Sequence, residues 1–377
     1  MPNKVSIKNR SNHFVSDEIS GWKRIWENAL QNQPHSYFLS WAWVSQWLKN
    51  LPLEVEVSLV EVETLSGRAV CFLGHNKHTR YGCIHSNSYY LNYTGLPLYD
   101  SLTLEYNQVL GQANTIEVLT KIINALPKEW DELHLPYLDT YLFPGNCLPK
   151  IIEGYKIRFS KQQPSYYVEL KNIDETQDSY LNLLSGNTRN NIRRAMKKLN
   201  NLGALQLEPA NDEKMALIIY DELTAMHQRA WQSRGQAGAF SGDWFNNFHR
   251  ELIKERFSSG EVQLLRIACG EKTLGCLYNF VYQGTIYYYQ SGFNYADFND
   301  NKPGLVCHAL AISFNANQGH TVYDFLAGDT QYKKSLATHK NQMVSCIIQK
   351  PYLRFCVENR MKELKTRITN VFDGKTG

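Results

Sequence analysis

Two periods of hydrophobic patterning run along this chain, and the order in which they appear is given twice. Around Trp22 and Trp26 the apolar residues recur at helical spacing, and an aromatic-rich segment follows, Phe38-Leu-Ser-Trp41-Ala-Trp43-Val-Ser-Gln-Trp47-Leu48. From Glu54 to Val62 apolar and polar residues alternate, the period of a half-buried strand. Ser66-Gly67 then predicts a turn, with Arg68 to Leu73 as the returning strand of a hairpin. A third extended stretch ends at Leu91-Asn-Tyr-Thr-Gly95-Leu-Pro97, a helix is expected within Thr103 to Leu126, and Trp130 to Leu135 reads as a strand.

The second half repeats this order. Ser179 to Asn201 and Glu213 to Ser233 have helical periodicity, and Ile219, Leu223, Met226 and Ala230 fall on one stripe. Phe240-Ser-Gly-Asp-Trp244-Phe-Asn-Asn-Phe248 echoes the earlier Phe38-to-Trp47 segment. Three strands are predicted over Glu261–Cys269, Thr273–Tyr282 and Thr285–Ser291, joined at Gly270-Glu271 and Gln283-Gly284. A helix from Pro303 to about Asn317 closes at Gly319. Strands over 321–326 and Met343–Gln349 follow, and a last helix is expected to begin just after Pro351, near Tyr352. The pattern therefore predicts an α/β (α+β) chain made by duplication, with domains at 1–160 and 161–377 and a linker between Ile151 and Pro164. Each domain is expected to be a mixed, mostly antiparallel sheet flanked by helices.

A length of 377 residues favours two packed domains over one, and 43% hydrophobic with 20% charged residues is a globular composition. The formal net charge of +4 suits an anionic ligand and is far below that of a dedicated nucleic-acid binder, so DNA is not an expected partner. Eight cysteines form no CxxC pair, and several, among them Cys276, Cys307 and Cys346, sit in apolar runs as buried free thiols do. The first ten residues lack the apolar core of a secretory signal, and no apolar run approaches the ~20 residues of a membrane span. A cytoplasmic protein is expected. His75, His78, Cys83 and His85 lie close together without paired ligand spacing, so no metal site is predicted; no GxSxG elbow, P-loop or HExxH occurs.

Candidate chemistry concentrates near the C-terminal end. In Lys302-Pro303-Gly304-Leu305 a proline at the first helical turn loses no needed hydrogen bond, and glycine admits a ligand to the backbone. The helix start then suits a diphosphate, with Lys302 adding charge, or is an ordinary helix start after a polar loop. The preceding strand is rich in aromatics: Tyr287 and Tyr289 are expected on one face and Tyr288 on the other. Asp324 interrupts the apolar run Val322-Tyr-Asp-Phe-Leu326, where it is either a general base with a raised pKa or a structural aspartate receiving backbone or tyrosine hydrogen bonds. Asp329 and Lys333, four apart after Gly328, form an i,i+4 pair or face a cleft. Arg189, Arg193 and Lys197 recur every fourth residue beside an Ile192, Met196 and Leu199 stripe, as a solvated basic face or an entry patch for a polyanion. His227 and Trp231 share a helical face, as a core pair or as the lining of an acceptor cleft.

Together Arg189-Asn-Asn-Ile-Arg193-Arg194, His227-Gln-Arg-Ala-Trp231-Gln-Ser-Arg234-Gly235, Tyr288-Tyr-Gln-Ser-Gly-Phe-Asn, Pro303-Gly304-Leu305 and Asp324-Phe-Leu-Ala-Gly328-Asp329-Thr-Gln-Tyr332-Lys333 resemble the GNAT acyltransferase superfamily. The likeness covers roughly Ser179 to Leu336 and is to the acetyltransferase domain of CelD-like cellulose-biosynthesis proteins. A more distant similarity is to Fem-type aminoacyl transferases, which carry two GNAT-like domains. Lys302 departs from the small residue that such relatives often have before Pro-Gly, which leaves coenzyme A or another phosphate-bearing carrier as donor.

The resemblance implies two GNAT-like domains and an acyl-CoA-dependent N-acyltransferase acting on an amine of a sugar or amino-acid-derived cell-envelope or polysaccharide precursor. Acetyl-CoA or another acyl-CoA would be the donor, with no metal. Its donor would lie along Gln290, Ser291, Lys302, Pro303, Gly304 and Leu305, its pantetheine arm entering between the tyrosine strand and the next as they splay apart. Asp324, Lys333 and Tyr332 would carry the chemistry, and Arg189, Arg193, His227, Trp231, Tyr288 and Asp329 would meet a small-molecule or glycan acceptor. The rivals are an aminoacyl-tRNA-dependent transferase of the Fem type, disfavoured by the low net charge and the lack of a long helical-hairpin insertion, and a non-catalytic envelope-precursor-binding protein.

Overall fold

The computed structural model describes residues 4–10, 16–31, 33–140, 154–174 and 179–362. In the first half, strand β1 (Val5–Asn9), helix α1 (Ser16–Leu30) and helix α2 (Trp41–Asn50) precede β2 (Val57–Thr64), β3 (Gly67–Arg80) and β4 (Ile84–Leu91). Short α3 (Pro97–Asp100), β5 (Leu110–Gly111), α4 (Thr115–Ala125) and β6 (Glu132–Asp139) complete it. The chain continues through β7 (Lys156–Glu169), α5 (Ser179–Asn182), α6 (Gly186–Leu202), β8 (Leu205–Pro209), α7 (Glu213–Gln232) and α8 (Asp243–Arg256). Then come β9 (Val262–Cys269), β10 (Lys272–Tyr282), β11 (Thr285–Phe293), α9 (Tyr295–Phe298), α10 (Pro303–Asn317), β12 (Val322–Ala327), α11 (Gln331–Leu336) and β13 (His339–Gln349). A final helix is described over 353–362, where the sequence places one.

All the strands join one mixed sheet in the order β1-β2-β3-β4-β6-β13-β7-β12-β11-β10-β9-β8, with β5 on β3. The duplication is visible in the parallel strand pair that each half contains among the described residues: β4 with β6 through Ser88↔Glu132 to Tyr90↔His134, and β11 with β12 through Thr285↔Val322 to Tyr287↔Asp324. Both parallel pairs are bridged by a helical crossover, as parallel strands require. Of the stretch expected to hold the linker, the residues from Lys156 onward are strand, and β7 pairs with β13 from Lys156 to Tyr167 and with β12 at its end. The C-terminal β13 in turn pairs with β6 of the first half, so this one strand joins the two halves across the middle of the sheet. The predicted helix over 179–201 breaks at 183–185, where the Ser185 side chain accepts from the Thr188 N–H and caps α6.

Each half has its own core on one sheet face, under α4 in the first and under α6 and α10 in the second. The other face is shared. Trp26, Tyr37, Phe38 and Trp43 of the first half pack in one cluster with Phe248, Tyr278 and Phe280 of the second. The two echoing aromatic segments meet here: Trp43 lies 5.1 Å from Phe248, Tyr37 stacks on Phe280 at 4.5 Å, and Trp244 Nε1 donates to the Asn50 carbonyl at 3.0 Å. Their likeness in sequence reflects matching roles at the domain junction. Tyr287 and Tyr288 take opposite faces as expected, one in this shared core and the other under α10. The three cysteines singled out, Cys276, Cys307 and Cys346, are buried free thiols.

Candidate active site

Strands β11 and β12 pair over three residues and then part. Past Tyr287, β11 follows β10 to Phe293; past Asp324, β12 bulges and rejoins β7 at Ala327↔Ser165. Leu326, inside the bulge, has a left-handed backbone (φ 62°), costly for a γ-branched residue in a strand. A cleft of 960 Å³ opens where the strands diverge, at their C-terminal ends. This is where an open α/β sheet offers a ligand both backbone groups and a helix N-terminus.

One end of the cleft is the start of α10. Pro303 occupies the first helical position, as the sequence predicts, and Lys302 before it is left-handed (φ 49°) with no side-chain cap. The Leu305 and Val306 N–H groups turn back to the Lys302 carbonyl at 3.0 and 3.3 Å, and Gly304 at the same turn lines the cleft. A Cβ on Gly304 would stand 3.2 Å from the Phe293 ring, so this wall is tight as well as bare. Lys302 and Arg234, the latter just past the end of α7, bring two cations to the same rim. Deeper in, His308 is fully buried with its Nε2 unpartnered, and burial lowers its pKa to about 3. It is neutral, and it stacks against Tyr332.

At the other end the first half enters. The segment Leu102–Asn107 crosses to the second domain, anchored by Tyr289 Oη donating to the Leu102 carbonyl at 2.9 Å. It carries two left-handed non-glycine residues, Thr103 (φ 48°) and Tyr106 (φ 55°). Strain of this kind persists where the surroundings over-determine it. Tyr106 Oη donates to Asp324 Oδ2 at 2.5 Å, while Asp324 Oδ1 accepts from the Leu326 N–H at 2.7 Å and from Ser165 Oγ at 3.3 Å. Asp324 thus has the tyrosine and backbone hydrogen bonds of one sequence reading together with the raised pKa of the other, and it is not among the residues that line the cleft. Burial raises its pKa to about 6 against those donors.

Next to it, Glu105 Oε2 accepts from the Ala327 N–H at 2.5 Å, and the carboxyl lines the cleft at 7% exposure. Burial lifts its pKa to about 7, opposed by the Ala327 N–H and by the Lys333 charge. Lys333 Nζ donates to the Ala327 and Leu326 carbonyls at 2.6 and 3.3 Å and is itself buried, which lowers its pKa against the pull of Glu105 and Asp324. The i,i+4 pair with Asp329 does not form: Asp329 turns outward to Lys334 at 2.8 Å and Tyr166 at 2.9 Å. Gly328 makes this possible, since a Cβ there would meet Lys333 Nζ at 3.3 Å. Tyr332 is held protonated by burial and by its hydrogen bond with Tyr288.

Of the residues picked from the sequence, His227, Trp231, Tyr288, Gln290, Ser291, Lys302, Gly304, Leu305, Tyr332 and Lys333 line the one cleft; Asp324, Asp329, Pro303, Arg189 and Arg193 do not. His227 stacks on Trp231 at 5.5 Å, so the pair is at once packed and cleft-lining. Arg189 and Arg193 sit on α6, Arg193 donating to Asn182. His75, His78 and His85 have local partners in Glu56 and Asn87, Arg80, and Thr79. Sequence reasoning missed Glu105, Tyr106 and Arg234. The first two lie in an aperiodic loop whose partner is more than two hundred residues away, whereas Arg234 stood in view within an identified motif.

A coenzyme A thioester fits this set of groups: two cations and a bare helix start for phosphates, a gap between strands for an extended arm, and behind it a buried imidazole whose Nδ1 meets Tyr323 Oη and whose Nε2 has no partner among the described residues. Residues 186–334 match the family model described as an acetyltransferase (GNAT) domain. FemX aligns over 85% of this chain and 95% of its own, with TM-score 0.55 and 11% identity. A conserved protein of unknown function from Bacteroides thetaiotaomicron VPI-5482 aligns over 88% of this chain and 97% of its own, at TM-score 0.52 and 10% identity. The C-terminal domain of a protein from Agrobacterium fabrum, assigned as a lysylphosphatidylglycerol synthetase, aligns over 87% and 92%, at 0.51 and 10%. At such identities the likeness is one of fold, and no curated protein matches the sequence. Residues 186–334 therefore match a GNAT acetyltransferase domain, set in a two-domain GNAT-like fold.

Proposed function

We propose that the protein is an acyl-CoA-dependent N-acyltransferase acting on an amine of a sugar or amino-acid-derived cell-envelope precursor, in line with its CelD-like motifs. The observation that carries this reading is the parting of β11 and β12 directly above the uncapped start of α10. A thioester donor supplies an activated acyl carbon and a thiolate leaving group. Lys302, Arg234 and the Gly304 N–H would hold its phosphates, favoured by the helix dipole. The open edge of β11 around Gln290 and Ser291 would hold the arm in extended form. Lys333 would place positive charge where the carbonyl oxygen gains negative charge, and Tyr332 would donate a proton to the departing sulfur. Trp231 and His227 would line the acceptor side. Asp324, with both oxygens engaged, would fix the bulge that presents Lys333.

One observation favours a second donor. Helix α6 carries Arg189, Arg193, Arg194, Lys197 and Lys198 with no acidic residue, and it packs on Asn299–Asn301, the turn leading to α10. Such a face suits a polyanion such as the acceptor end of an aminoacyl-tRNA, the donor of the Fem-type relatives that the motifs also resemble. Thermal shifts on ribonuclease-treated protein separate the readings. Acetyl-CoA or a longer acyl-CoA is expected to raise Tm, since a ligand at 100 times its Kd adds ~2.7 kcal/mol. No shift with any coenzyme A species, together with activity that ribonuclease abolishes, would replace this reading with the tRNA one; no shift and no transfer would leave a binding protein.

A further inference from the structure

We propose that Glu105, supplied by the first half of the chain, is the proton acceptor for the incoming amine, so that one active site is shared between the two domains. The inference rests on the acyl-transfer reading and deepens it.

Three observations carry it. Asp324, the carboxylate that the sequence pattern singles out, has its oxygens taken up by Tyr106, Ser165 and the Leu326 N–H and does not line the cleft. Glu105 does line it, and among the described residues only its Oε2 accepts a side-chain hydrogen bond, from the Ala327 N–H, which fixes the carboxyl plane without blocking the second oxygen. That N–H belongs to the same bulge whose Leu326 and Ala327 carbonyls hold Lys333 Nζ, so acid and base groups are set from one piece of backbone. The loop that delivers Glu105 is strained at Thr103 and Tyr106 and tied at Leu102, Leu104 and Tyr106, more restraint than a surface loop needs.

The charges facing Glu105 are Lys333 from α11, Asp324 from β12 and Lys161 from β7, and together with burial they bring the carboxyl to about 7. That value lets it accept a proton near neutral pH, where an ordinary glutamate is too weak a base. In the step itself the amine nitrogen forms its bond to the acyl carbon and gives one N–H proton to Glu105. The carbon–sulfur bond breaks with its electron pair on sulfur, which takes a proton from Tyr332. Glu105 then releases its proton to solvent and Tyr332 regains one, so the net change moves one proton from nitrogen to sulfur.

The test uses the full chain and the isosteric Glu105→Gln variant, with Glu105→Asp beside it. The first arm needs no acceptor. Infrared difference spectra of wild type minus Glu105→Gln, with coenzyme A present, are expected to show a protonated carboxyl lost with a midpoint near the value above; a carboxylate ionised throughout pH 5–8 overturns the proposal. The second arm follows thiol release from acetyl-CoA with glucosamine and a set of free amino acids as acceptors. Glu105→Gln is expected to lower kcat by ~10²–10⁴-fold while acetyl-CoA affinity and Tm stay within a few-fold and a few degrees of wild type, with Glu105→Asp partly active. A Glu105→Gln enzyme with wild-type kcat overturns the base role and leaves the donor reading standing. Wild type that fails to bind acetyl-CoA removes the donor reading itself.

Discussion

Two buried carboxylates meet in the β12 bulge, and what separates them is the direction in which their oxygens face. Asp324 looks into protein, towards Tyr106 and Ser165; Glu105 looks into the cleft. Asp324 therefore has a thermodynamic signature of its own. Its folded pKa of about 6 lies above the ordinary 3.8, so the folded state binds the proton more tightly. The stability this contributes is present below the ordinary value and is lost as pH rises through about 6. Asp324→Asn has no such loss, so its Tm relative to wild type is expected to climb between about pH 4 and pH 7. Parallel Tm curves for the two proteins would refute the assignment. Lys333→Ala removes the buried cation and its bonds to the Leu326 and Ala327 carbonyls, and turnover is expected to fall by about 100-fold or more, measured as thiol release. At this scale the sequence was legible where chemistry interrupts a pattern, as Asp324 does in an apolar strand. Glu105 was not, because its loop has no period and its partner Ala327 is 222 positions away.

Among the elements, the parting of β11 and β12 does most to define the site, and Gly304 is the residue that keeps its mouth open. Gly304→Val would drive a side chain against Phe293 and over the helix start. Acetyl-CoA affinity is expected to drop more than tenfold in a calorimetric titration, with Tm changed by a few degrees; unchanged affinity would place the phosphates elsewhere. Helix α10 was readable to its ends, since Pro303 and Gly319 punctuate it. The first nine residues of β7 fall in the stretch expected to hold the linker and are largely exposed and polar; pairing with β13 makes them strand, and pairing is invisible to local pattern. Edge strands β1 and β8, five residues each, were hidden by shortness in the same way. In the first half Tyr90 and His134, the last paired residues of β4 and β6, stack at 4.4 Å, with Gly95 pressed against the Tyr90 ring.

The molecule as a whole is two repeats fused at both levels of structure. Strand β13 closes the sheet of the first half from the far end of the chain, and the Tyr37, Phe38 and Trp43 rings share a core with Phe248 and Phe280. Neither half can lose these contacts without exposing large apolar surface, so unfolding by heat is expected as one cooperative transition with calorimetric and van't Hoff enthalpies in agreement. Two resolved transitions would contradict the shared core. Duplication itself was legible from the repeated order of periods, and so was the aromatic echo; that the echoing segments bind each other, and that a loop of one repeat completes the site of the other, follow only from the three-dimensional arrangement. The central claim is that this shared cleft holds an acyl donor. A crystal structure of the full-length protein with acetyl-CoA tests it most directly. The account predicts the diphosphate at Gly304, Lys302 and Arg234 and the thioester between β11 and β12, within reach of Glu105 and Lys333. A donor bound at any other place, or a cleft that stays empty at saturating acetyl-CoA, would contradict it.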